Sequence, residues 1–308
     1  MRAKDFGALL LLAALWGGSF LFMRVVAPVI GPVLLITARV GIASAALLAY
    51  ALLSGRLPVL RGHRRLFLVL DAFNGALPYT LFAAAELYLT ASIASVLNAT
   101  TPLFTALIAA LWLRERLGAR EVIGLCCGFV GVAVLVGWSP LPRSPLLLAS
   151  IVAALAACCS YGVVNAYIKR TSIGLAPLQL AIGQQLGALV LLLPLAVPIT
   201  ALSGPLPPVS ITVGLAVLGL ALLSTALAYL LFFHLIVNIG PMRTSLVTYL
   251  TPVFGILWGA LLLREPLRPG MALGAVIIFL SVALTSGVQI WPARRRSPVP
   301  SITEVRLE

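Results

Sequence analysis

Apolar residues run along this chain in blocks of about twenty, broken by short polar or Pro/Gly-rich connections. The hydrocarbon core of a bilayer asks for about 20 mostly apolar residues per helix, because no water is there to satisfy the backbone. Ten blocks meet that requirement: Phe6–Ala27, Val33–Ser54, Leu66–Tyr88, Ser92–Leu113, Val122–Trp138, Leu146–Ile168, Leu178–Thr200, Ile211–Phe233, Met242–Leu263 and Met271–Ile290. Barrel strands would be about 10 residues long with strict alternation, which is not the pattern here. Turn formers fill the gaps, among them Gly31 with Pro32, Gly55 with Pro58, Pro140 with Pro142, Gly174 with Pro177, and Pro269 with Gly270. The expected fold class is therefore an all-α integral membrane protein. Residues 291–308 are polar and Pro-rich and read as a disordered tail.

Composition removes the competing classes. Hydrophobic residues make up 61% of the 308 positions and charged residues 9%, against about 25% charge in a soluble globule. So few charges cannot cover a water-facing surface, which excludes an ordinary soluble enzyme, a secreted disulfide scaffold and a disordered chain. The net charge of +13 is informative by position. Sixteen of the 21 Lys and Arg residues fall on the side shared by the two termini, four on the other, and Arg39 within the second span. The positive-inside rule then predicts cytoplasmic termini and a multi-pass protein of the cell (inner) membrane. Basic residues scattered over loops are no nucleic-acid stripe, so no nucleic-acid partner is expected. Arg2 and Lys4 ahead of the first span resemble a signal peptide, but the apolar block is too long and no cleavage site closes it cleanly. Cys126–Cys127 and Cys158–Cys159 lie mid-span and read as small packing residues; no metal and no cofactor is expected.

The most informative feature is an internal repeat. Ser95–Leu117 matches Ser245–Leu267 at a constant offset of 150, with eleven of 23 positions identical, where chance would give about two. The register continues at Tyr79 with Tyr229 and Gly124 with Gly274. Earlier in each half the offset is 145, pairing Trp16 with Tyr161, Arg24 with Lys169 and Pro32 with Pro177. Each half, residues 6–138 and 146–290, thus holds five spans. Five is odd, so the second half crosses in the opposite sense. The ten transmembrane helices form two five-helix inverted-topology repeats, an arrangement suited to exposing one central site to alternate sides.

Thr-Pro-x-Phe on each fourth helix, Leu-Arg-Glu at its end, Trp16-Gly17-Gly18-Ser19-Phe20 on the first helix and Gly240 through Phe254 together resemble the drug/metabolite transporter superfamily, EamA type, over about residues 6–290. The resemblance implies a carrier of small metabolites, often an exporter of amino acids. Its central cavity would be lined by helices one, three, four, six, eight and nine. Tyr161 stands in the second half where the first has Trp16, a departure from the pattern. A small-molecule substrate and the lipid bilayer are the implied partners; a monomer and a homodimer are both compatible.

Polar groups in the spans are the candidate chemistry, because ionisable groups are costly in lipid. Trp16 with Ser19, Tyr161 with Asn165, the stripe Ser95, Asn98, Thr101, Pro102, Thr105, and its repeat Ser245, Thr248, Thr251, Pro252 lie at helical spacing. They read either as two facing cavity walls or as interhelical bonds holding the bundle. Asp71, Asn74, Pro78 and Phe82 are placed on one face of the third span. The substrate-binding candidates are Trp16, Ser19, Asn74, Tyr79, Asn98, Thr101, Tyr161, Asn165, Thr248 and Thr251. Arg39 is a carboxylate anchor, a structural ion pair or a side chain snorkelling to the interface. Asp71, Glu86 and His234 are coupling candidates, with Glu86 otherwise an interfacial acid in water and His234 an interfacial histidine. Glu115 and Glu265 end helices where the dipole disfavours acids, and read as gate ion pairs or solvated turns. The competing classes are a lipid or lipid-linked flippase, a multidrug exporter and, more remotely, an intramembrane enzyme, for which no His-Glu-x-x-His motif is present.

Overall fold

In the computed structural model, which describes residues 2–55, 64–138, 144–171, 177–202 and 208–285, the apolar blocks become helices. Eight are long and apolar enough to cross a membrane: α1 (Ala3–Ile30), α2 (Pro32–Leu53), α3 (Leu66–Ala85), α4 (Ala91–Trp112), α5 (Ala119–Gly137), α6 (Pro145–Arg170), α7 (Leu178–Leu202) and α8 (Ile211–Ile239). Two shorter apolar helices follow, α9 (Val247–Leu262) and α10 (Pro269–Thr285). The ninth block, expected to run unbroken from Met242, instead starts as a single turn, Pro241–Thr244, and resumes at Val247. The end of the tenth block and the tail at 291–308 lie outside the described residues. Among the described residues there is no strand.

Local sequence sets the joints. Gly31 takes φ +81°, a left-handed conformation that costs glycine little, and Pro32 then starts α2 at its first turn, where no amide hydrogen is needed. α4 and α9 each end on an arginine in left-handed conformation, Arg114 (φ 57°) and Arg264 (φ 54°). The next amide folds back six residues, Glu115 N–H to the Ala109 carbonyl and Glu265 N–H to the Gly259 carbonyl. Leu-Arg-Glu is thus a Schellman-type stop used twice.

The two halves pack as a pseudo-twofold pair. α1 lies on α9 as α6 lies on α4; α2 meets α7 and α5 meets α10 across the axis. Close approach depends on glycine. A Cβ at Gly17 would lie 2.7 Å from the Phe254 side chain and 2.8 Å from the Thr251 carbonyl, while one at Gly162 would lie 2.9 Å from the Phe104 backbone. These contacts are equivalent under the repeat. On the axis itself, the hydroxyls of Tyr79 and Tyr229 meet each other at 3.0 Å. A residue touching its own repeat partner locates the axis, and with five spans per half that axis lies in the membrane plane.

α3 and α8 each contain a π-helical stretch at the same level, Ala72–Ala76 and Gly219–Leu227. The backbone groups they loosen are taken up locally: Ser160 donates to the Phe73 carbonyl at 2.7 Å and Thr225 to the Leu220 carbonyl at 2.8 Å. In α4, Pro102 removes an amide hydrogen, the helix opens at Ala99–Thr100, and the Thr101 hydroxyl donates to the Asn98 carbonyl at 2.8 Å. Irregular backbone at membrane depth is tolerated where it lines a cavity or is buried in protein.

Candidate substrate cavity

These joints surround one cavity of about 430 Å³ on the pseudo-twofold axis. Trp16, Ser19, Asn74, Tyr79, Asn98, Thr101, Tyr161, Asn165, Thr248 and Thr251 all lie on its wall, as does Arg39. The wall also includes residues that sequence reasoning did not single out as contacts: Phe20, Met23, Val164, Ile168, Tyr229, Phe232 and Val247. They look like ordinary membrane-core residues; the repeat offsets, which tie Tyr229 to Tyr79 and Phe20 to Asn165, are the signal that could have found two of them. α2 joins the lining helices through Arg39. Trp16 packs on Phe232 with centroids 5.3 Å apart, and Phe20 on Phe82 at 5.6 Å, edge to face.

Arg39 is 4% exposed. Its Nε donates to the Thr225 hydroxyl at 2.9 Å, and its guanidinium carbon sits 3.8 Å from the centroid of the Tyr79 ring. Among the described residues it forms no ion pair, so the structural-pair reading fails; nor does it snorkel to water.

The remaining polar candidates lie off this wall. Asp71 is buried at 1% exposure, and a Cβ at Gly187 of α7 would overlap its carboxyl group. The π-helical stretch just after Asp71 adds a residue to the turn and rotates it away from Asn74 and Phe82, which corrects the single-face expectation. Glu86 is fully buried rather than interfacial. Its carboxylate oxygens have no hydrogen-bond partner among the described residues, and it sits within electrostatic reach of Arg24, Glu265 and Arg39. The chain folds over it: Arg24 donates to the carbonyls of Glu86 and Leu87. His234 is exposed on α8 and hydrogen-bonded to Asn238 at 2.9 Å.

Glu115 and Glu265 have diverged in use. Glu115 pairs with Lys169 at 2.6 Å, both side chains well exposed. Glu265 makes no ion pair among the described residues. It caps α4, accepting from Ala91 N–H at 2.8 Å, Ser92 N–H at 3.0 Å and the Ser92 hydroxyl at 2.5 Å. The carboxylate therefore sits at a helix N-terminus, where the dipole favours it.

The same asymmetry runs through the cavity. We call the face where α1 begins the near face. Toward the far face, Phe20, Met23 and Ser95 are buried; their repeat partners toward the near face, Asn165, Ile168 and Ser245, are exposed. The cavity is sealed on the far side and open on the near side. Far-side closure brings α4 onto α9 where glycine leaves room, the Ser95 hydroxyl filling the space a Cβ of Gly255 would need and Ser92 doing so at Gly259.

A ten-helix inverted pair around a central cavity is the architecture of membrane transporters rather than of enzymes. The EamA-like transporter family model matches residues 6–137 and again residues 148–287, and the chain belongs to that family. Similar proteins include Protein PecM of Dickeya dadantii (strain 3937), 27% identical over 96% of both chains. The inner membrane transporter YedA of Escherichia coli (strain K12), itself uncharacterized, is 29% identical over 94% of this chain and 93% of its own. A crystal structure at 20% identity shares the fold, with TM-score 0.64 over 93% of this chain and 97% of that one.

Proposed function

We propose that the protein is a secondary carrier that exports small metabolites, amino acids foremost, across the cell inner membrane, with both termini and the near face in the cytoplasm. The observation that carries this reading is the cavity on the axis, open at Asn165, Ile168 and Ser245 and sealed at their repeat partners Phe20, Met23 and Ser95. Because the halves are related by that axis, exchanging their conformations seals the near side and opens the far side around the same residues. The ten polar and aromatic candidates are the substrate contacts. The sixteen-to-four distribution of basic residues supports the orientation, and loading from the cytoplasm supports export.

Glu265 and Glu115 are the two latches. In the opposite state Glu265 leaves α4 for Arg24, the repeat partner of Lys169, and Glu115 leaves Lys169; the ninth span opposite it begins Pro241-Met242 where α4 has Ala91-Ser92, so of the three donors that hold Glu265 only the Met242 amide has a counterpart for Glu115. Of the coupling candidates, Glu86 lies within electrostatic reach of the far latch Glu265, whereas Asp71 and His234 lie off the cavity wall. Purified protein in proteoliposomes, offered amino acids, nucleosides and amphipathic cations with and without a pH gradient, tests the reading. Saturable amino-acid flux is expected; flux of another class alone sinks the substrate proposal, and no flux of any class sinks the carrier.

A further inference from the structure

A buried charge is expensive unless it is paired, and the cavity wall holds one buried charge with no countercharge on that wall and no ion pair among the described residues, Glu86 lying off the wall within electrostatic reach. Arg39 is the single ionised side chain among the wall residues, which include no Asp or Glu. Asp71 and Glu86 are off the wall and neither is ion-paired to it. The guanidinium is held rather than floating. Tyr79 covers one face at 3.8 Å and Thr225 fixes Nε. On the other edge Nη1 has only the Met23 sulfur at 3.9 Å, and Nη2 has no partner among the described residues. Three phenols share the wall with it: Tyr79 against its face, and Tyr161 and Tyr229 within electrostatic reach. Tyr79 and Tyr229 share one hydrogen bond between two hydroxyls, which leaves one hydroxyl hydrogen to donate elsewhere. Tyr161, on the wall and within electrostatic reach of both Arg39 and Tyr79, makes no hydrogen bond among the described residues.

We propose that Arg39, with the hydroxyls of Tyr79, Tyr161 and Tyr229, anchors a carboxylate, so that the substrates are monocarboxylates and zwitterions with an apolar or aromatic body, and amphipathic amines are refused. This rests on the carrier reading and narrows it. A fixed guanidinium fork matches two carboxylate oxygens. The repeat partner of Arg39 is the neutral Gln184, so the cavity supplies one positive charge and takes one anionic group. Trp16, Phe20, Phe82 and Phe232 offer the apolar remainder its surface, and about 430 Å³ suits a molecule the size of an aromatic amino acid. An ammonium meets neutral Asn74, Asn98 and Thr101, which tolerate it beside a carboxylate but offer no countercharge of their own.

The test uses three matched probes: 3-phenylpropionate, phenylalanine and phenethylamine. Thermal protection of the purified full chain and counterflow in proteoliposomes are measured for wild type, Arg39→Gln and Arg39→Lys. Both carboxylates are expected to protect and exchange, and the amine to do neither. Arg39→Gln is expected to weaken carboxylate binding about ten- to a hundredfold without lowering the melting temperature of the unliganded protein. Arg39→Lys keeps the charge without the fork; it is expected to retain the preference for carboxylate over amine at about tenfold lower affinity, and it serves where the Gln variant does not fold. Equal protection by phenethylamine, or undiminished carboxylate binding in the variants, overturns the anchor. Flux of amines or neutral solutes without carboxylate preference removes the anchor and leaves the carrier, whereas folded protein that moves no solute removes both.

Discussion

Replacing Glu265 with Gln perturbs the far latch and little else. The carboxylate accepts three hydrogen bonds at the start of α4, two from backbone amides and one from Ser92. Gln keeps one acceptor oxygen and the approximate shape, but loses the charge and the second acceptor. Hydrogen bonds to a charged group contribute about 1.5–3 kcal/mol each, and favourable placement at a helix N-terminus adds about 0.3–1 kcal/mol. The three bonds act as a unit and are not additive, and Gln preserves part of the set. The expected loss is about 2 kcal/mol of far-side closure, or about 30-fold in the open-to-closed ratio. The reporter is Met23→Cys, a position 2% exposed in the sealed half, in a background lacking Cys126, Cys127, Cys158 and Cys159. While the far-open state is minor, the rate of modification by an impermeant maleimide from the far side follows its population. Glu265→Gln should therefore raise that rate about 30-fold. Glu115→Gln removes an exposed ion pair of the present state worth about 0–1 kcal/mol and also weakens the latch of the far-open state, so it should not raise the rate by more than about fivefold, and any fall in the rate comes from that second loss. A Glu265→Gln rate within about twofold of the parent, in folded protein, would refute the latch.

Three further outcomes follow from the packing. Gly255→Thr, which installs the residue found at the equivalent position in the first half, drives a side chain into Ser95; it should open the far side and raise labelling at Met23→Cys, and unchanged labelling would deny that glycine sets the closure. Gly17→Ala should cost about 1–3 kcal/mol of stability through forced separation of α1 from α9, read as a lower melting temperature in detergent, whereas Gly7→Ala, with open space around it, should leave it unchanged or higher. Tyr79→Phe and Tyr229→Phe should each lose about 1 kcal/mol by breaking the axial hydroxyl pair, with the double variant costing less than the sum; strict additivity would mean the two hydroxyls are uncoupled.

Much of the cavity was legible because its residues sit three or four apart on helices and recur in both halves. Ser95, Asn98 and Thr101 on α4 and Ser245, Thr248 and Thr251 at the ninth span are one stripe written twice. Reading failed where the helix departs from 3.6 residues per turn. Asp71 shares a nominal face with Asn74 and Phe82, yet the π-helical stretch Ala72–Ala76 turns it toward Gly187. It also failed where burial comes from a distant segment. Nothing around Glu86 says that the carbonyls beside it will receive Arg24.

Apolar block length, the positions of Pro and Gly, and a duplicated pattern of odd span number determined by themselves that this chain makes a ten-helix inverted pair, because blocks of about twenty residues without alternation satisfy their backbone hydrogen bonds in a bilayer as helices and not as barrel strands. Only the tertiary structure decided which face is sealed. Both halves carry the latch glutamate but not its seat, Ala91-Ser92 in one and Pro241-Met242 in the other, and the energies of the two states are set by long-range contacts: Glu265 on the start of α4, and Ser92 and Ser95 in the room left by Gly259 and Gly255. The first half has Ala109 and Thr105 at those positions. That small difference in bulk gains meaning only when α4 and α9 lie side by side.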